Sequence, residues 1–74
     1  MTAPAPSLDR MLALAEELDD RVVNVGVYKN EAGTWSVDIL SRRGWMANPG
    51  PTRAAAVAAA CAELERLVKE RREK

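Results

Sequence analysis

Val23-Asn24-Val25-Gly26-Val27-Tyr28 and Thr34-Trp35-Ser36-Val37-Asp38-Ile39 decide the fold. In each stretch a large apolar side chain alternates with a polar, small or amphipathic one, the period of two that marks a half-buried β-strand. Val23, Val25 and Val27 are thereby expected on one face with Trp35, Val37 and Ile39. Between the stretches, Lys29-Asn30-Glu31-Ala32-Gly33 carries turn chemistry, with an Asn able to bond its own backbone and a Gly free to take positive φ. The prediction is an antiparallel hairpin with matched apolar faces. Ser41-Arg42-Arg43-Gly44 reads as a second turn leading into a short third strand, Trp45 to Asn48, which Pro49-Gly50-Pro51 is expected to stop.

Outward from the strands the period lengthens. Leu8, Met11, Leu12, Ala15 and Leu18 form a stripe at helical spacing behind Ser7, an N-cap residue, while Asp9, Glu16 and Glu17 point the other way. Acidic side chains oppose the dipole at a helix C-terminus, so this helix should end between Leu18 and Asp20. On the other side Thr52 is placed to cap a long helix whose inward stripe is Val57, Cys61, Leu64 and Val68, flanked by Ala54, Ala60 and Leu67. Three i,i+4 pairs, Glu65–Lys69, Arg66–Glu70 and Lys69–Glu73, would support its solvated face. The expected architecture is α+β, in the order α-β-β-β-α, with both helices on one face of a two- to three-stranded antiparallel sheet. Residues 1–6 read as an extended tail, 7–74 as one domain, and 70–74 as a frayed end. The other sheet face is left to Asn24, Gly26, Tyr28, Thr34, Ser36, Asp38 and Leu40.

Composition narrows the function. The 74 residues hold eleven basic and eleven acidic groups, no histidine and one cysteine. Without histidine the chain lacks the commonest general base and metal ligand, and a lone cysteine makes neither an intramolecular disulfide nor a thiolate metal site. No catalytic, cofactor or metal role is expected, and Glu16, Glu17, Asp19 and Asp20 read as a solvated acidic rim. The longest apolar run, Ala54 to Ala62, falls well short of the roughly 18 residues a membrane span needs. A free thiol without a disulfide framework, behind an N-terminus without signal-peptide blocks, points to the cytoplasm. A chain of this size is expected to be stable by only about 4–10 kcal/mol.

Gly50-Pro51-Thr52-Arg53-Ala54-Ala55-Ala56, opening an Ala-rich last helix after three strands, resembles the double-stranded RNA-binding domain over Leu8 to Val68. That resemblance implies double-stranded RNA held by the first helix, the first interstrand loop and the start of the last helix, with Lys29 and Arg53 as the basic residues of the last two here and the basic C-terminal residues Arg71 and Arg72 added. Gly33-Thr34-Trp35-Ser36-Val37-Asp38-Ile39 and Gly50-Pro51-Thr52 look like the strand and helix opening of HicB-type antitoxins. In composition and element order the chain also resembles short bacteriophage and prophage proteins, which implies an inhibitor or adaptor acting on a host protein.

Charge is uneven. Residues 1–20 carry net −4, residues 21–53 net +3 and residues 54–74 net +1. Arg42 and Arg43, with Arg21, should lie at one end of the sheet and Lys29 with Arg53 at the other, a split that suits a duplex poorly. The reading is therefore a non-enzymatic protein-interaction module, binding another protein or itself as a homodimer through the open sheet face or an edge strand. Tyr28, Arg42, Arg43 and Trp45 are the contact candidates. Trp35 is assigned to the core, and Cys61 is expected as a buried, inert thiol. Nucleic-acid binding through Lys29, Arg53, Arg71 and Arg72 is the alternative.

Overall fold

The computed structural model describes residues 5–73, so most of the expected N-terminal tail, residues 1–4, and Lys74 lie outside the described residues. Helix α1 (Leu8–Leu18) is followed by strands β1 (Asn24–Lys29), β2 (Trp35–Leu40) and β3 (Trp45–Gly50) and by helix α2 (Arg53–Arg72). The strands form one antiparallel sheet in the order β1-β2-β3, with both edges unpaired among the described residues. This is the α-β-β-β-α order that the hydropathy periods predict.

Both helices begin where a side chain meets an orphan backbone donor. Ser7 Oγ accepts the Arg10 N–H at 3.0 Å and Thr52 Oγ1 accepts the Ala55 N–H at 3.1 Å. Helix α1 packs on α2 and β1, while α2 lies along β3, β2 and β1. The core between helices and sheet joins Met11, Leu14 and Ala15 to Val37 and Ile39 and to Ala56, Val57, Ala60, Cys61, Leu64 and Val68, with Val25, Val27, Trp35 and Trp45 packed around it. Alanines at positions 56 and 60 let α2 approach the sheet. Gly50 serves the same close approach: a Cβ there would stand 3.1 Å from the Ala55 Cβ.

Three details differ from expectation. In α1 the buried stripe is Met11, Leu14 and Ala15, with Leu18 half-buried against it; Leu12 is half-buried and Leu8 exposed, so the helix is rotated toward Leu14. Ala54, expected beside the α2 stripe, is exposed, and Ala56 takes the inward place. At the entrance to β1 the alternation breaks. Val23 N–H donates to Leu40 O at 2.8 Å although Leu40 is the register partner of Asn24. Two residues thus face one, a β-bulge, and the extra residue reverses the phase before it. Val22 turns into the core in place of Val23, which is 76% exposed.

The third strand runs two residues further than the sequence predicts. Trp35 pairs with Gly50 and Val37 with Ala47, so Asn48 and Pro49 together stand opposite Ser36. A proline in a bulge of an edge strand gives up no ladder hydrogen bond, which is why Pro49 does not end the strand.

The hairpin between β1 and β2 closes through Asn30 N–H to Thr34 O at 2.8 Å, with Gly33 at φ +85°. The Asn30 side chain accepts from Ala32 N–H and Thr34 N–H, and its amide donates to Thr34, Ser36 and Asn48, tying the turn to all three strands.

Helix α2 runs to Arg72, and its end is docked. Arg71 Nη1 donates to Glu17 O at 2.8 Å and to Leu18 O, covering the orphan carbonyls of α1, and Arg72 bonds the Glu17 carboxylate. Of the three anticipated surface pairs, Arg66–Glu70 forms; Arg66 also binds Glu63, while Glu65 reaches Arg10 at 3.5 Å instead of Lys69. Among the described residues no helix is long and apolar enough to cross a membrane.

Candidate functional site

Two surfaces stand out, on opposite sides of the sheet. The first is the face that no helix covers. Register places Asn24 beside Leu40, Gly26 beside Asp38, Asp38 in turn beside Met46, and Tyr28 beside Ser36. On this face Tyr28 is 42%, Leu40 58% and Met46 69% exposed, and the bulge leaves Val23 exposed at its border with Leu40. Ser36, in the central strand, is buried under its neighbours and donates to Asn48. The face is therefore apolar at the end where β2 turns into β3, polar around Ser36 and Asn48, and bare at Gly26.

The second surface is a cavity of about 540 Å³ between the end of α1, the C-terminal half of α2 and the Ser41–Gly44 turn. Its apolar lining comes from Leu18, Val22, Ile39, Trp45, Leu64 and Leu67, and its charged lining includes Asp19, Arg43, Glu70 and Arg71. Beside it a polar cleft brings Arg21, Arg42, Arg43 and Arg71 together with Glu16, Glu17, Asp19 and Asp20. Arg71 meets the helix carbonyls and Arg43 stands by the Asp19 carboxyl, and four carboxylates balance the four arginines, so the cleft as a whole carries little net charge for an anion.

Asp19 organises this end of the molecule. Its Oδ1 accepts the Arg21 N–H at 3.0 Å, and Oδ2 is shielded from water without a well-formed hydrogen bond of its own. The Arg21 N–H holds the carboxyl below its ordinary value of 3.8; partial desolvation works against it, and the Ser41 hydroxyl and the N–H and guanidinium of Arg43 reinforce it. A lowered folded pKa means stabilisation that is full above pH 3.8 and lost as pH falls through the lowered value. Asp19→Asn is therefore expected to flatten the acid limb of the stability curve, read as Tm against pH. Parallel curves for variant and parent would refute the assignment.

The contact residues read from sequence do not form one site. Tyr28 lies on the open face, Arg42 and Arg43 lie in the turn at the far end of that face, and Trp45 lies on the opposite side, half-buried against the core beside Ile39. Nor do the residues of the nucleic-acid alternative converge. Lys29 ends β1 opposite Trp35, at the end where Gly50 leads to Arg53, whereas Arg71 and Arg72 sit at the other end of α2, bonded to α1. No protein-family model, curated protein or solved structure matches the chain. Its functional reading therefore rests on the geometry of the two surfaces.

The sequence reading passed over Met46 and Val23 as surface residues. The signal for Met46 was present: once Trp45 turns inward, period two sends Met46 outward beside Leu40. For Val23 there was none, because the bulge that exposes it leaves no mark in the alternation of four valines.

Proposed function

We propose that the chain is a non-enzymatic protein-interaction module that receives its partner on the open face of the sheet. The observation that carries this reading is the exposure of Val23, Tyr28, Leu40 and Met46 on a face that both helices leave uncovered. Large apolar side chains gathered on one uncovered face mark an interaction surface, whereas single scattered ones do not. Arg42, exposed in the turn that follows Leu40, suits a partner surface with an apolar centre and an acidic border. In the form that the resemblance to phage proteins implies, the partner is a host protein and the module its inhibitor or adaptor. The dispersal of Lys29, Arg53, Arg71 and Arg72 supports a protein over a nucleic acid, since phosphate binding draws on cations along one track.

Paired affinity capture from source-cell extract tests the proposal, with the parent chain and Leu40→Glu/Met46→Glu as baits. Both side chains point to solvent, so circular dichroism and Tm should change little. A partner held by the parent and lost by the variant, with an Arg42→Glu bait intermediate, is the expected result. Equal recovery on the parent and double-variant baits would overturn the assignment of the face.

A further inference from the structure

We infer that a second copy of this chain adds to β1, joining two three-stranded sheets into one of six strands across a two-fold axis at Val27. The contact uses the edge of β1 and one flank of α1 and shares only Tyr28 with the partner surface above, leaving Leu40 and Met46 free, so it stands or falls separately from that reading.

The hydrogen-bond phase of β1 shows which groups are free. Asn24 pairs with Leu40, and the same register continues to the turn, where Asn30 N–H donates to Thr34 O. Even-numbered residues thus bond β2, and Val25, Val27 and Lys29 turn their N–H and C=O outward. Asn24 Oδ1 already accepts the Val25 N–H at 2.9 Å, which leaves that donor satisfied and the rest of the edge open. The edge of β3 is less suited to pairing because Pro49 and the bulge opposite Ser36 interrupt it. Strand β1 carries no such interruption from Val25 to Lys29, the bulge at Val23 lying before that segment.

Antiparallel pairing centred on Val27 is self-complementary. Val27 exchanges both hydrogen bonds with its own counterpart, and each Lys29 N–H meets the Val25 C=O of the other copy. All four bonds form without disturbing the Asn24 side chain. In the same register Gly26 falls opposite Tyr28 of the second copy, in the close, non-bonded kind of pair, and this happens twice. A Cβ built on Gly26 meets nothing within 4 Å, so the space above it is open to the exposed Tyr28 ring.

The helix layer continues the contact. Arg10 reaches Glu65 of α2, which marks the α2 side of α1. Leu12 is two residues from Arg10, about 200° round the helix, and so emerges on the opposite flank. Since α1 packs on β1, this flank borders the open edge. Leu12, Val25 and Val27 are only half-buried there, and a second copy would cover all three.

Sedimentation analysis of the whole chain at rising concentration should show a dimer, and Leu12→Glu should weaken it at least about tenfold at unchanged helicity, the factor that 1.4 kcal/mol represents. Cysteine trapping reads the register. Val27→Cys should form a covalent dimer under mild oxidation, because a bonded antiparallel pair holds its Cα atoms about 5.5 Å apart. Val25→Cys should not, since it lies about 13 Å from its own counterpart in this register, four residues along the strand. A monomer at every concentration, Leu12→Glu dimerising like the parent, or Val25→Cys crosslinking as readily as Val27→Cys would each overturn the proposal.

Discussion

Leu64→Ala should lower the unfolding free energy by about 3–4 kcal/mol, within the range for removing a fully buried leucine. Leu64 is 1% exposed and among the largest fully buried side chains, on the α2 stripe between Cys61 and Val68. The loss has two parts: the transfer of the removed methyl-bearing carbons, and the space that remains where the surroundings cannot close. Trp45 and Leu18, which share the neighbouring cavity lining with Leu64, are the side chains able to move in, so the cost should fall short of the upper limit of about 5 kcal/mol. In a domain expected to be stable by about 4–10 kcal/mol, that removes about 30% or more of the total. Urea unfolding should show a lowered midpoint at unchanged slope, which distinguishes a weaker native state from a changed unfolded one. Leu67→Ala, one helical position off the stripe and half-buried, is the control and should cost about 1 kcal/mol. Equal losses at the two positions would mean that α2 does not present Leu64 to the sheet.

The stripe that makes this prediction firm was legible in the sequence, and the reason is length. Over Val57, Cys61, Leu64 and Val68 a 3.6-residue period has enough turns to fix which side faces inward. In α1 the same reasoning assigned the wrong edge of the stripe. With leucines at 8, 12, 14 and 18, two faces of an eleven-residue helix are nearly equally apolar, and its neighbours decide: Arg10 reaching Glu65 and Arg71 covering the last carbonyls turn Leu14 inward and leave Leu8 exposed and Leu12 on the flank. The strands show the same limit in another form. Period two is blind to an inserted residue, so the bulges at Val23 and at Asn48–Pro49 shifted one valine out of the core and carried β3 past a proline. The open face of β1 and β2 could be read because it depends only on the residues between those bulges. What that face binds could not, since an uncovered apolar surface records no partner chemistry beyond its own charge and shape.

Trp45→Ala separates the sequence-based site from the folded one. Read from sequence, Trp45 is an interface anchor whose loss weakens binding and spares the fold. In the structure it pairs with Ile39 on the helix-facing side, packs against the core and forms part of the cavity lining with Leu64 and Leu67. The expected effect is therefore a loss of roughly 3 kcal/mol of stability, the low end for removing a tryptophan because this indole is only half-buried. Trp45→Phe should recover much of that loss, since it refills the apolar volume, which a lost contact with an outside partner would not require. Binding assays on Trp45→Ala need to be run where it is still folded, and there capture by the open face should match the parent, because Tyr28, Leu40 and Met46 point the other way. A variant that keeps its full Tm and loses its partner would return Trp45 to the contact surface and move the binding site from the open face to the cavity end of the domain.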